Sequence, residues 1–284
     1  MNAHHRISIL LFVAIVVGCA SFADAQHSEQ ESNVRITPQP GAPKPAEIPN
    51  LKQVTRLLAK QTNKFREGQK LVTLNGDKKL NKTARVYARY MAKEGKCGHT
   101  VDGRTPSQRV KAQEYEYCIV AENVACHFSS KSMSADELAT ALLTGWKESP
   151  GHRKNLVDPD VREVGFGVVY SEDDGYFYAV QLFARPESAR IEIRLANRTP
   201  AEVEYEINGE IQKLPGGVTR THYRCRPTKL AMPASDNEKI ARQTLLIGES
   251  ANYEVIRDTA GKLQLRREAA SDGGSTSADQ PTEK

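Results

Sequence analysis

The chain has 284 residues, a formal net charge of +5, and 39% hydrophobic and 26% charged residues. That is enough for one large domain or two smaller ones with the composition of a globular protein. Lysine and arginine are interspersed with aspartate and glutamate, so no strong nucleic-acid footprint is visible and no nucleic-acid partner is expected.

Residues 1–25 read as an export signal. His4, His5 and Arg6 open it, an apolar run over 7–17 follows, and Ala23-Asp24-Ala25 makes a small-x-small cleavage site. The run is shorter than the ~20 residues a spanning helix needs. Nothing later is apolar enough either, so no transmembrane helix is expected. Val16-Val17-Gly18-Cys19 resembles a bacterial lipobox, and the alternative to simple secretion is a lipoprotein held at the cell surface through Cys19. Residues 26–50 carry Pro38, Pro40, Pro43, Pro45 and Pro49, which favour extended geometry and read as a linker.

Helical patterns come next. Leu51, Val54, Leu57, Leu58 and Phe65 share one stripe, and Leu80, Ala84, Tyr87, Ala88 and Met91 share another. Thr105-Pro106 reads as a cap and first helical residue of a short helix reaching towards Val110. Ser134 and Glu137 form a capping box ahead of Leu138, Leu142 and Trp146. Residues 119–125 look like a buried strand. Strands over 164–170 and 176–183, joined by Asp173-Asp174-Gly175, form a hairpin. Helices with an antiparallel sheet make 51–186 an α+β or α/β/α sandwich.

Over 190–267 the period becomes two. Ile191, Ile193 and Leu195 alternate with charges, as do Val203, Tyr205 and Ile207, then Leu263 and Leu265. A small all-β domain, a sandwich, is expected there. The tail 268–284 has almost nothing to bury and is expected to be disordered.

Four cysteines lie beyond the signal: Cys97, Cys118, Cys126 and Cys225. An even number in an exported chain suggests two disulfides. None has the CxxC spacing of a zinc ribbon. If 118–126 is a straight strand its ends lie about 26 Å apart at strand rise, against the ~7 Å between Cα atoms that a bridge allows. Cys97 is therefore expected to bond Cys118 or Cys126, with Cys225 taking the other or staying free.

Four stretches of 51–186 hold polar residues among turn formers: 96–109, 121–125, 145–156 and 162–169. Glu122 is the most informative, because a carboxylate in an otherwise apolar strand is costly unless paired or hydrogen-bonded. Ser149-Pro150-Gly151 forms a turn expected to aim His152 into a cleft shared with His99 and Glu122. Trp146 reads as core, Arg153 and Lys154 as a solvated face, and Asn123 and Asn155 as loop caps.

These stretches resemble the CAP superfamily of cysteine-rich secretory proteins, antigen 5 and plant pathogenesis-related proteins, and its bacterial SCP-like branch in particular. The likeness is carried by Asn63 and Arg66, Gly98-His99, Asp102-Gly103 with Pro106 and Arg109, Glu122-Asn123-Val124-Ala125, Trp146 to Asn155, and Val164-Gly165-Phe166-Gly167. It runs over about half the chain and stops near Pro186. It implies an α/β/α sandwich with a cleft lined by two histidines and two glutamates: His99, His152, Glu122, and Glu148 as the second glutamate, with Glu163 the runner-up. The fold expected for the whole chain is thus α+β, a CAP-like sandwich followed by the small all-β domain.

His99, His152 and Glu122 could together hold a divalent cation, zinc or calcium. A hydrolase or protease would use such a site with Glu122 or Glu148 as general base. Against that reading, the chain lacks a His-Glu-x-x-His helix and a Gly-x-Ser-x-Gly elbow. The resemblance implies a secreted binding module, so the expected function is a non-enzymatic extracellular module. Its partner would be a small apolar ligand such as a lipid, or a cell-surface component.

Overall fold

A computed structural model describes residues 33–37, 44–232 and 243–268 of the chain. The expected export signal with Cys19, and the tail beyond residue 268, lie outside them. In chain order the first region contains β1 (Val34–Arg35), α1 (Leu51–Gly68), β2 (Asn75–Gly76), α2 (Lys78–Glu94), β3 (Lys96–Cys97), α3 (Pro106–Lys111), β4 (Tyr117–Phe128), α4 (Ala135–Glu148), α5 (Pro150–Leu156), β5 (Glu163–Tyr170) and β6 (Tyr176–Pro186).

The helices start where their caps place them. Asn50 accepts from the Gln53 N–H at α1, Asp77 from Leu80 at α2, and Thr105 and Ser134 form reciprocal capping boxes with Gln108 and Glu137. Gly95 ends α2 in the left-handed conformation that glycine adopts at no steric cost.

Strands β2, β5, β6 and β4 form one sheet in that order, antiparallel except for the short β2–β5 pair. Both of its faces are covered. Leu80, Ala84, Tyr87 and Met91 of α2 pack with Tyr178, Val180 and Leu182 on one side. Val54 and Leu58 of α1 and Leu138, Leu142 and Trp146 of α4 pack with Phe177, Ala179 and Phe183 on the other. The helix period of α2 and the strand period of β6 thus meet in one core, an α/β/α sandwich. Gly165 and Gly167 let α2 lie almost on the backbone of β5: a Cβ at Gly167 would come within 2.3 Å of the Ala84 and Arg85 backbone.

Two local expectations change. Val34 and Arg35, inside the stretch read as linker, pair antiparallel with Cys97 and Lys96. Pro150 and Gly151, read as part of a turn ahead of His152, instead open α5, which carries His152. Ser149 ends α4 and caps α5, and Pro150 is a first helical residue, where the missing N–H costs nothing.

The second region contains β7 (Ile191–Asn197), β8 (Val203–Ile207), β9 (Glu210–Leu214), β10 (Thr219–Arg224), β11 (Thr228–Ala231), β12 (Thr244–Ile247), β13 (Ala251–Arg257) and β14 (Leu263–Arg267). They make two four-stranded sheets, β10-β7-β13-β14 and β12-β11-β8-β9. Ile191, Ile193, Leu195, Val203, Tyr205, Ile207 and Leu265, the alternating positions, are buried in a core of their own.

Cys97 bonds Cys126 and Cys118 bonds Cys225, with Cα separations of 6.2 and 5.3 Å. The second bridge fastens the β region to the edge of the sandwich. Beside it Arg226 binds Asp158 and Asp160, each at 2.8 Å. Burial by itself would raise the Asp158 carboxyl, but hydrogen bonds from Arg226 and the Asp160 N–H outweigh it and hold that group below its usual range.

Separate cores joined by the chain at 186–190, the Cys118–Cys225 bridge and the Arg226 ion pairs predict two cooperative units. Limited proteolysis between 186 and 190 should leave two fragments linked through Cys118–Cys225. Reduction should separate them, and the 51–186 fragment should keep a cooperative melt. Loss of structure in both fragments on cutting would contradict this.

Candidate functional site

The site grows from the outer edge of β4. Glu122 and Asn123 are adjacent, so the strand pleat sends their side chains to opposite faces of the sheet. Both are buried, Glu122 at 5% exposure and Asn123 at 0%.

On the α2 face Glu122 meets two partners. His99 Nδ1 lies 2.8 Å from its Oε1, and Arg109 Nη2 donates to both carboxylate oxygens at 2.8 Å. Arg109 comes from α3 and is itself buried. Its Nη1 donates to Asp102 at 2.9 Å, its Nη2 also to the His99 carbonyl at 3.0 Å, and its guanidinium stacks 3.5 Å above the Tyr87 ring. The Tyr87 hydroxyl donates to the Gly98 carbonyl and accepts from the Val101 N–H. Burial, more than any neighbouring charge, pushes that hydroxyl up to about 12. The loop carrying His99 is thus hung from α2, α3 and β4 together.

On the α1 face Asn123 donates to the His152 carbonyl and to Gln181, which in turn donates to Thr62 of α1, each at 3.2 Å. Asn155 donates to the Glu122 carbonyl at 3.1 Å and to Asn123 Oδ1 at 2.9 Å. Neither asparagine is the loop cap expected from its residue type. They bolt α5 to the strand, because a β edge offers outward carbonyls that side chains can satisfy. Trp146 does the same, donating its indole N–H to the Val124 carbonyl at 3.1 Å while fully buried in the core.

The two imidazoles meet beside this edge, with ring centroids 6.2 Å apart. His99, Glu122 and His152 are therefore brought together. Glu148 is exposed at the last position of α4. Glu163 sits on β5, with β6 between it and β4, and accepts from the Tyr115 hydroxyl at 2.6 Å.

Residues 60–183 match the sequence profile of the cysteine-rich secretory protein family, CAP. They form a CAP domain. Two relatives, both described only as uncharacterized, share the region: YkwD of Bacillus subtilis, 30% identical over 111 residues, and a protein of Borreliella burgdorferi, 26% identical over 114. The match covers 39% of this chain and 40% of YkwD, and 40% of this chain and 68% of the Borreliella protein. Among solved structures, an outer surface protein from Borrelia burgdorferi aligns with a TM-score of 0.43 at 23% identity, over 48% of this chain and 96% of its own. An extracellular SCP-domain protein from Bacillus anthracis aligns with a TM-score of 0.39 at 24% identity, over 47% of this chain and 41% of its own.

Sequence reasoning gave Glu122 a histidine partner but missed Arg109 as its countercharge, although Arg109 stood within a quoted motif. The available signal was stoichiometric: a buried carboxylate calls for a cation, and Arg109 sits on a capped helix that follows Asp102. Arg66 was missed in the same way. It is fully buried and holds the carbonyls of Val72, Leu156 and Asp158, fixing the end of α5.

Replacing Asn155 by Ala removes its two bonds to β4 and leaves the Asn123–His152 bond as the remaining described side-chain tie between α5 and that strand. The expected cost is about 1–3 kcal/mol, with faster amide exchange in α5 and wider separation of the His99 and His152 rings by NMR. The β4–β6 ladder should keep its protection. Unchanged exchange in α5 would show that Asn155 does not hold it.

Proposed function

We propose that the chain is an exported, non-enzymatic binding module whose His99–His152 cleft docks the polar end of a small, otherwise apolar ligand. The observation that carries this reading is the state of Glu122. A general base needs a lone pair directed at the water or substrate it deprotonates. Both oxygens of this carboxylate accept from Arg109, and one also faces His99 Nδ1. Arg109 likewise opposes a cation at Glu122, since it puts a fixed positive charge on the same oxygens. Among the described residues, no three His, Cys, Asp or Glu side chains converge as a metal-binding group. The imidazoles are instead of a type that can hydrogen-bond an acidic or hydroxyl head group.

Export is supported by the small-x-small site at Ala23-Asp24-Ala25 and by two disulfides, which persist in oxidising compartments. No described helix is long and apolar enough to cross a membrane.

Calorimetry and NMR on the purified protein test the reading. A fatty acid should shift the His99 and His152 ring nitrogens saturably in the wild type and lose that effect in His152→Ala. Zinc and calcium should give no saturable heat, and a quenched casein substrate should not be cleaved. Cleavage that disappears in Glu122→Gln, or cation binding that disappears in His152→Ala, would contradict the proposal.

A further inference from the structure

The two edges of the CAP sheet are finished differently. At the β4 edge, side chains of Trp146 and Asn155 take the outward carbonyls of Val124 and Glu122. At the β5 edge, β2 covers only Glu163 and Val164. Beyond it, the Asp77 N–H takes the Val164 carbonyl at 3.1 Å and the Asn81 side chain takes the Phe166 N–H at 2.8 Å. Both bonds leave β5 on the side away from β6. Outward groups on a strand recur at every second residue, so the Phe166 carbonyl and the N–H and carbonyl of Val168 point the same way. No described residue bonds them.

This open edge is the floor of a groove of about 770 Å³ between α1 and α2. Its walls carry Lys52 and Arg56 from α1 and Lys78, Lys82, Arg85 and Arg89 from α2. All six are exposed, and among the described residues none is in an ion pair. Among the described residues the single carboxylate on the lining is Glu172. Spacings of four, and of four, three and four, place each set along one helical stripe.

We infer that the β5 edge is a docking groove for an extended acidic segment of a partner protein, which adds to the sheet as a further strand beside Phe166 and Val168. Main-chain bonds would give the pairing and side chains the selectivity. Successive side chains of an added strand point alternately to the two faces of the sheet. Here one face meets the α1 cations and the other the α2 cations, so carboxylates are favoured at both parities. The occupant is a run of acids and not an amphipathic alternation. A second copy of this chain is disfavoured, because its own β5 edge carries the same positive walls and like charges across a pairing repel. The groove is separate from the His99–His152 cleft, which lies at the opposite edge of the sheet.

The probe is a short fluorescein-labelled peptide of repeated Glu-Glu-Thr, titrated against the full chain by anisotropy. Two comparisons isolate the strand pairing: the same peptide N-methylated at alternate residues, and heparin as a polyanion with no strand to add. Saturable binding is expected, weakened about tenfold in Lys82→Glu/Arg85→Glu by the loss of charge complementarity. Alternate N-methylation should weaken it about five- to tenfold by removing main-chain donors. The charge-reversal variant should melt as the wild type does. No binding of the peptide would overturn the inference. So would equal binding of the methylated peptide, since charge alone would then suffice, or heparin binding more tightly than the peptide.

Discussion

A carboxylate buried in a β-strand has to be neutralised or bonded, and the CAP region is arranged around how Glu122 is. Its charge is met by Arg109, which is also buried, and removing one partner of such a pair costs about 3–5 kcal/mol because the other is left uncompensated. The consequences spread from there. Arg109 can reach Glu122 only if α3 starts where the Thr105 capping box starts it. It then fixes His99 from behind through the carbonyl while Glu122 fixes the ring from the front. The position of the imidazole is thereby set by three separate elements and owes little to the loop that carries it.

The opposite wall of the cleft is built mainly on amide side chains. Asn123, Asn155, Gln181 and Thr62 hand hydrogen bonds across the sheet from α5 to α1, and Arg66 holds the far end of α5 by its carbonyls. One histidine is held by an ion pair and the other by an amide network, on opposite faces of one strand. Both Glu122 oxygens already accept hydrogen bonds from Arg109. At the far edge of the sheet the same strand logic leaves main-chain groups that no described residue bonds, between cationic walls. The domain therefore presents one finished edge and one unfinished edge.

Much of this was legible in the sequence because it is local. Caps at Thr105 and Ser134, the helical stripes of α1 and α2, the Asp173-Asp174-Gly175 hairpin and the alternation over 190–267 each announce themselves within a few residues. Two disulfides followed from the even number of cysteines in an exported chain, and the exclusion of Cys118–Cys126 from strand geometry. Which cysteine joined Cys225 stayed open, because it depends on how two regions pack. Arg109 as countercharge, Asn155 as a strand bolt and Arg66 as a carbonyl clamp were hidden for a related reason: each acts on residues brought close only by the fold. Glu148, proposed from the family resemblance, is exposed at the last position of α4.

A double-mutant cycle on Arg109 and Glu122 tests the central claim most directly, with Arg109→Met, Glu122→Gln and the pair compared by chemical denaturation. If the ion pair is the anchor, Arg109→Met alone should cost about 3 kcal/mol or more, and adding Glu122→Gln should recover part of that loss. The coupling should then be about 2 kcal/mol. Additive effects, with coupling below about 0.5 kcal/mol, would mean that the rest of the structure does not depend on this pair.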